Sequence, residues 1–153
     1  LLKSSSSPES QAKSLVKRRE GLVLRWYPDS LGKITGGYGH LQRPQDMGKT
    51  ITQALADQWL EEDLKAADVA SWANVEGLKY CTQELKDVLV SVNFQLGTSW
   101  HKKFVKTYSL MKSGDFVGAA WEAENSLWAK QTPVRVRDFQ FALVRLDALI
   151  KGI

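Results

Sequence analysis

The sequence predicts an α+β domain, predominantly helical, in which a small β-hairpin lobe precedes a larger helical lobe. Three observations carry this reading. Between Leu22 and Tyr38, two short runs flank a Pro28-Asp29-Ser30-Leu31-Gly32 turn, and Gly36, Gly37 and Gly39 allow close backbone approach. From Thr50 onward, apolar residues recur at helical spacing almost throughout. The chain of 153 residues, 43% hydrophobic and 25% charged, suffices for one sizeable core and hardly for two.

Each element follows from local chemistry. Residues 1–10 are Ser-rich and do not begin with Met, and they read as a tether or the remnant of a longer chain. A first helix is expected from Ser7-Pro8-Glu9, with Ser7 as N-cap, Ala12, Leu15 and Val16 on one face, and Gly21 as its stop. The hairpin follows. Thr50-Ile51-Thr52-Gln53 resembles a capping box opening a long helix through Leu55, Trp59, Leu64 and Val69 to about Trp72. A second long helix spans Thr82 to Leu96 and stops at Gly97. A third covers His101 to Lys112, and a fourth Asp115 to Trp128. Thr132-Pro133 opens the last, with Val136, Phe139, Leu143, Leu146 and Ile150 on one face. Residues 11–153 thus form one domain, in which Trp59, Trp72, Trp121 and Trp128 are expected in the core and Trp26 beside the hairpin turn.

Composition excludes several classes. A lone Cys81 forms no internal disulfide, and with two histidines it builds no conventional zinc site, so no metal is expected. It reads as a partly buried structural cysteine. No run is long and apolar enough for a membrane span. The net charge of +4 and pI near 9.2 favour polyanionic partners in general. The basic run Lys102, Lys103, Lys106 and Lys112 reads as a solvated helix face, and no nucleic-acid motif accompanies it. Met47-Gly48-Lys49-Thr50 ends like a phosphate-binding loop, but Arg43 stands where the first glycine is required.

A more specific pattern runs from Arg19 to Leu41. Glu20 closes the first helix, Asp29 lies in the turn, and Thr35 stands on the returning strand. With Gly21, Leu24, Tyr27, Gly32, Gly37, Gly39 and His40 they match E-G-x-x-L-x-x-Y-x-D, a short spacer, then G-x-x-T-x-G-x-G-H. This stretch resembles the phage-type lysozymes, the glycoside-hydrolase endolysins of tailed bacteriophages. Asn93-Phe94-Gln95-Leu96-Gly97, Gly114-Asp115, and Trp128 with Gln131-Thr132-Pro133 and Arg135 extend the similarity over most of the chain beyond the tail.

The resemblance implies a lysozyme-like fold, with a long helix joining hairpin and helical lobes, and a muramidase acting on bacterial peptidoglycan without cofactor or metal. It implies Glu20 as general acid, Asp29 as the carboxylate that activates water, and Thr35 as the group that positions that water, in an inverting displacement. A helix C-terminus disfavours a charged carboxyl, which suits an acid at Glu20. Gly39, Gln95 and Arg135 are implied in the cleft, although many relatives carry Asn at the Gln95 position. Arg135 is implied to approach Glu20. His40 is implied to pair with Asp63 as a structural link between hairpin and helix. Gly36, where relatives carry an apolar residue, is expected to loosen the strand. A monomer is expected, made in the infected host's cytoplasm and acting on the wall in the periplasm by an export route the chain does not reveal. The alternative is a virion-associated or toxin-borne lysozyme domain of a larger protein, or a catalytically weak wall-binding module.

Overall fold

The computed structural model describes residues 10–30 and 32–152. The first helix, α1 (Gln11–Glu20), is capped by Ser10, whose Oγ accepts the Lys13 N–H at 3.1 Å; the cap expected at Ser7 lies outside the described residues. Gly21 ends α1 with φ +69°, its N–H bonded to the Lys17 carbonyl at 3.0 Å.

The hairpin is completed by a third, very short strand. Strands β1 (Val23–Pro28), β2 (Ile34–Gly37) and β3 (His40–Leu41) form an antiparallel sheet in sequence order. Thr35 lies opposite Tyr27 on one side and Leu41 on the other. The β1–β2 register is irregular between Val23 and Tyr27, the stretch that faces Gly36. A methyl group at Gly36 would overlap Ile51 Cδ1 and come within 2.9 Å of Trp26, so larger neighbours occupy the space that an apolar side chain at this position would need.

The long helix α2 (Gln53–Glu76) starts two residues later than the expected box, because Thr52 rather than Thr50 is the cap; its Oγ1 accepts the Leu55 N–H at 3.1 Å. Helix α3 (Gln83–Leu96) ends at Gly97, as the glycine predicts. The expected third helix is two pieces, α4 (Trp100–Lys103) and α5 (Val105–Lys112), broken where Phe104 leaves helical geometry at φ −93°, ψ 53°. The expected fourth is likewise split into α6 (Phe116–Glu124) and α7 (Leu127–Gln131). Ser126 recaps the chain by accepting the Ala129 N–H at 3.1 Å. Helix α8 (Pro133–Lys151) buries Val136, Phe139, Leu143 and Leu146.

Two apolar clusters hold these elements. The larger joins Leu85, Leu89, Trp100, Met111, Phe116 and Phe139 with their neighbours on α3 to α8. The smaller joins Val16, Tyr38, Ile51, Trp59, Leu60 and Val90 beneath the sheet. Helix α1 serves both, since adjacent Leu15 and Val16 point into different clusters. Two tryptophans depart from expectation. Trp59 and Trp128 are core, but Trp72 is 60% and Trp121 72% exposed. Trp72 lies on the outward face of α2 together with Val69, and the helical spacing there does not mark burial. Cys81 is exposed rather than partly buried.

Candidate active site

Glu20 is the last residue of α1, and the left-handed Gly21 lets the chain turn away directly behind it. Its carboxylate is held from two sides. Oε2 forms an ion pair with Arg135 Nη1, and Oε1 sits against the Gly39 backbone, where a Cβ would overlap it. Arg135 is buried in the first turn of α8, and its Nη2 donates to the Ser91 carbonyl at 3.2 Å and to Ser91 Oγ at 3.0 Å on α3. Glu20 is therefore tied to two helices of the large lobe and to the β2–β3 turn of the small one. A part-buried pair of this kind fixes geometry more than it adds net stability. Next to it, Arg19 grips Asp138 of α8 through two bonds of 2.7 and 2.8 Å, which docks the end of α1 a second time.

Asp29 and Thr35 meet through one residue. The Lys33 N–H donates to Asp29 Oδ1 at 2.9 Å, and the Lys33 carbonyl accepts from Thr35 Oγ1 at 3.0 Å. The Asp29 N–H also donates to the Lys33 carbonyl at 2.9 Å, closing the turn. Asp29 is half-buried, not exposed as its turn position suggests, and Thr35 is buried.

His40 lies directly after Gly39. Its Nδ1 is 2.7 Å from Asp63 Oδ2 on α2, and its Nε2 is 2.9 Å from Asp46 Oδ2. The ring stacks on Trp59, with centroids 4.3 Å apart and planes 9° from parallel. Trp26 packs behind Trp59 at 5.2 Å and donates from Nε1 to the Lys49 carbonyl at 2.9 Å, so it belongs to the floor of the small lobe. Burial opposes a charge on His40, but hydrogen bonds and charge from Asp63 and Asp46 outweigh it and raise its pKa above 6.5. The Arg43 hydrogen bonds hold the Asp46 carboxyl well below the usual carboxylate range, against its burial.

A cleft of about 280 Å³ runs between the two lobes beside this cluster, lined by Gly39, His40, Leu41, Asp63, Phe94 and Thr98 among others. Neither this cleft nor a larger hollow of about 430 Å³, bounded by Leu15, Arg18, Phe141 and Arg145, is lined by Glu20 or Asp29; the cleft reaches Glu20 through Gly39, against which its carboxylate sits. Gln95 is a strut: its Oε1 accepts from Trp128 Nε1 at 2.9 Å, and its Nε2 donates to Thr132 Oγ1 at 3.0 Å. Both amide ends are spent within the protein.

The structure thus gathers Glu20, Gly39 and Arg135 into one contact and His40 and Asp63 into another, and links Asp29 to Thr35 through the Lys33 backbone. Sequence reasoning missed Asp46, Arg43 and Ser91. The i, i+3 spacing of Arg43 and Asp46 around Pro44 was the available signal for the first two, because a short turn there brings the side chains together. Nothing local marks Ser91, whose role depends on how α8 packs on α3.

The family model described as phage lysozyme matches residues 17–140. An endolysin of Acyrthosiphon pisum secondary endosymbiont phage 1 is 35% identical over 119 residues, 76% of this chain and 75% of that protein. A probable T4-type lysozyme 2 of Dictyostelium discoideum is 29% identical, covering 82% of this chain and 89% of the other. The pre-baseplate central spike protein Gp5 of Enterobacteria phage T4 is 28% identical over 84% of this chain, but the match spans only 27% of that protein. The matched segment contains Glu20, Asp29, Thr35 and Arg135, so on both its fold and its sequence the chain belongs to the phage lysozyme family.

Proposed function

We propose that the protein is a muramidase that hydrolyses the β-1,4 bond between N-acetylmuramic acid and N-acetylglucosamine in bacterial peptidoglycan. The observation that carries this reading is the Glu20 carboxylate wedged between Gly39 and Arg135, with Gly39 also lining the cleft. In the reactive form Glu20 carries a proton, which it delivers to the glycosidic oxygen as the bond breaks, while the Asp29 carboxylate takes a proton from the attacking water. The Thr35 hydroxyl supports the water-positioning role because its proton is committed to the Lys33 carbonyl. It can then only accept from water, which leaves a water lone pair free to attack the anomeric carbon. Water arriving on the face opposite the leaving group inverts the configuration there.

This reading extends to bacterial lysis, with synthesis in the host cytoplasm and action on the wall in the periplasm. Among the described residues, no helix is long and apolar enough to cross a membrane. One observation favours a second reading, a lysozyme module carried within a larger virion protein: the similarity to the spike protein spans 84% of this chain and 27% of that one.

The test is digestion of purified peptidoglycan, with products reduced by borohydride and identified by mass spectrometry. The wild type is expected to release reducing-end muramic acid, appearing first as the α-anomer by proton NMR, and Glu20→Gln to release none. Product from Glu20→Gln at the wild-type rate would remove Glu20 from the role of acid. Wall binding without turnover by the wild type would leave a binding module.

A further inference from the structure

The cleft does not end at the catalytic cluster. Ala66 and Thr98 line both the cleft beside His40 and a second depression formed by Lys65, Val69, Ala70 and Ala73. Val69 and Ala73 in turn border a third, with Trp72, Val75 and Glu76. Through these shared residues the three depressions follow one another as a shallow trough along the outward face of α2. From Ala66 to Trp72 it advances ~9 Å at the usual helical rise.

The trough ends on an indole that is exposed and yet held. Trp72 is 60% exposed, and Val69 beside it 70%. The Lys86 ammonium lies 4.4 Å from the Trp72 ring centroid, and it is itself buried and ion-paired to Asp68 at 2.6 Å. A cation fixed against an aromatic ring restrains that ring, so little conformational freedom is left to lose on binding. A flat, restrained, solvent-facing indole beside small side chains suits the C–H face of a pyranose ring, which stacks on aromatic rings without needing a buried polar partner. Lys65, in the middle of the trough, adds a positive charge complementary to the carboxylates of the wall's peptide stems.

We propose that Trp72 is a remote glycan-positioning residue: the peptidoglycan strand leaves the cleft past Ala66 and Thr98 and stacks a distal sugar on the Trp72 indole. The proposal rests on the muramidase reading and adds to it a preference for long strands. The trough's continuity with the cleft favours the enzyme's own polymeric substrate as the occupant.

The experiment compares turnover of intact sacculi with turnover of a short soluble glycan oligomer, for the wild type, Trp72→Ala and Trp72→Phe. The ratio of kcat/KM on sacculi to that on the oligomer is expected to fall about threefold to tenfold in Trp72→Ala, the loss of one aromatic platform. Trp72→Phe should recover most of it. In the Glu20→Gln background, Trp72→Ala should weaken pelleting with sacculi by a similar factor. An unaltered ratio, or equal losses on both substrates, overturns the proposal. So does a change in sedimentation mass on substitution, which would make the patch a contact between copies of the chain. No turnover of either substrate by the wild type would instead be a failure of the muramidase reading, so the two failures are separable.

Discussion

His40 is buried with a carboxylate on each ring nitrogen, Asp63 toward α2 and Asp46 toward the short turn at Pro44–Asp46. Arg43 completes the group, bridging Asp46 and reaching Glu62 at 3.6 Å. Because the His40 pKa is raised, the imidazolium is favoured in the folded state. Its contribution to stability is complete below about pH 6.5 and is lost as pH rises through the folded-state pKa. Asp46 acts in the opposite direction, since its pKa is lowered. Its contribution is complete above 3.8 and is lost as pH falls through the lower, folded-state pKa. Thermal melting followed across this range should therefore show a plateau with a decline on each side. In His40→Gln the alkaline decline should flatten while the acid one persists. An alkaline decline of wild-type size in that variant would assign it to another group.

At the scale of elements, the β2–β3 turn connects the sheet to the chemistry. Tyr38 and Gly39 join the strands, Gly39 at φ +66°, and Gly39 meets the Glu20 carboxylate. Gly39→Ala meets two obstacles at once, a left-handed backbone that an L side chain resists and a methyl group in the space the carboxylate occupies. The substitution is expected to lower the melting temperature and to reduce kcat by at least about tenfold through displacement of Glu20, a misplacement at the reacting centre. Gly114→Ala, also at positive φ, with open space around it and between α5 and α6 away from the site, is the control for backbone strain alone. Equal kcat losses in the two variants would assign the whole effect to strain.

At the scale of the molecule, the two apolar clusters lie in different lobes, and α2 connects them across the cleft. Helices α1 and α3 contribute to both clusters through Leu15, Val16 and Val90, which limits relative motion to a hinge rather than free separation. The motion this layout predicts is closure of the two lobes on a bound wall fragment. Spin labels at the exposed positions Gln45 and Lys103, in a Glu20→Gln chain with exposed Cys81 replaced by Ser, should report a shorter mean separation once soluble wall fragments are added. Identical distance distributions with and without fragments would rule closure out.

Local chemistry alone was enough to read the α+β class, the stops at Gly21 and Gly97, the Pro133 start of α8 and its buried face, because caps, prolines and apolar periodicity act within a few residues. Glu20, Asp29 and Thr35 stood out only through the resemblance to the phage-type lysozyme pattern, since taken singly two carboxyls and a threonine read as ordinary surface residues. Three features followed only from packing. Phe104 leaves helical geometry and Ser126 caps a new helix inside runs whose pattern reads as continuous, and Phe104 packs on Trp128 with ring centroids 5.7 Å apart. Trp72 shares the helical spacing of a core residue yet faces solvent, since periodicity marks a face but not what covers it. Glu20, Gly39, Ser91 and Arg135 come from four elements far apart in the chain, and only their tertiary arrangement brings one carboxylate, one guanidinium and one glycine together at the cleft.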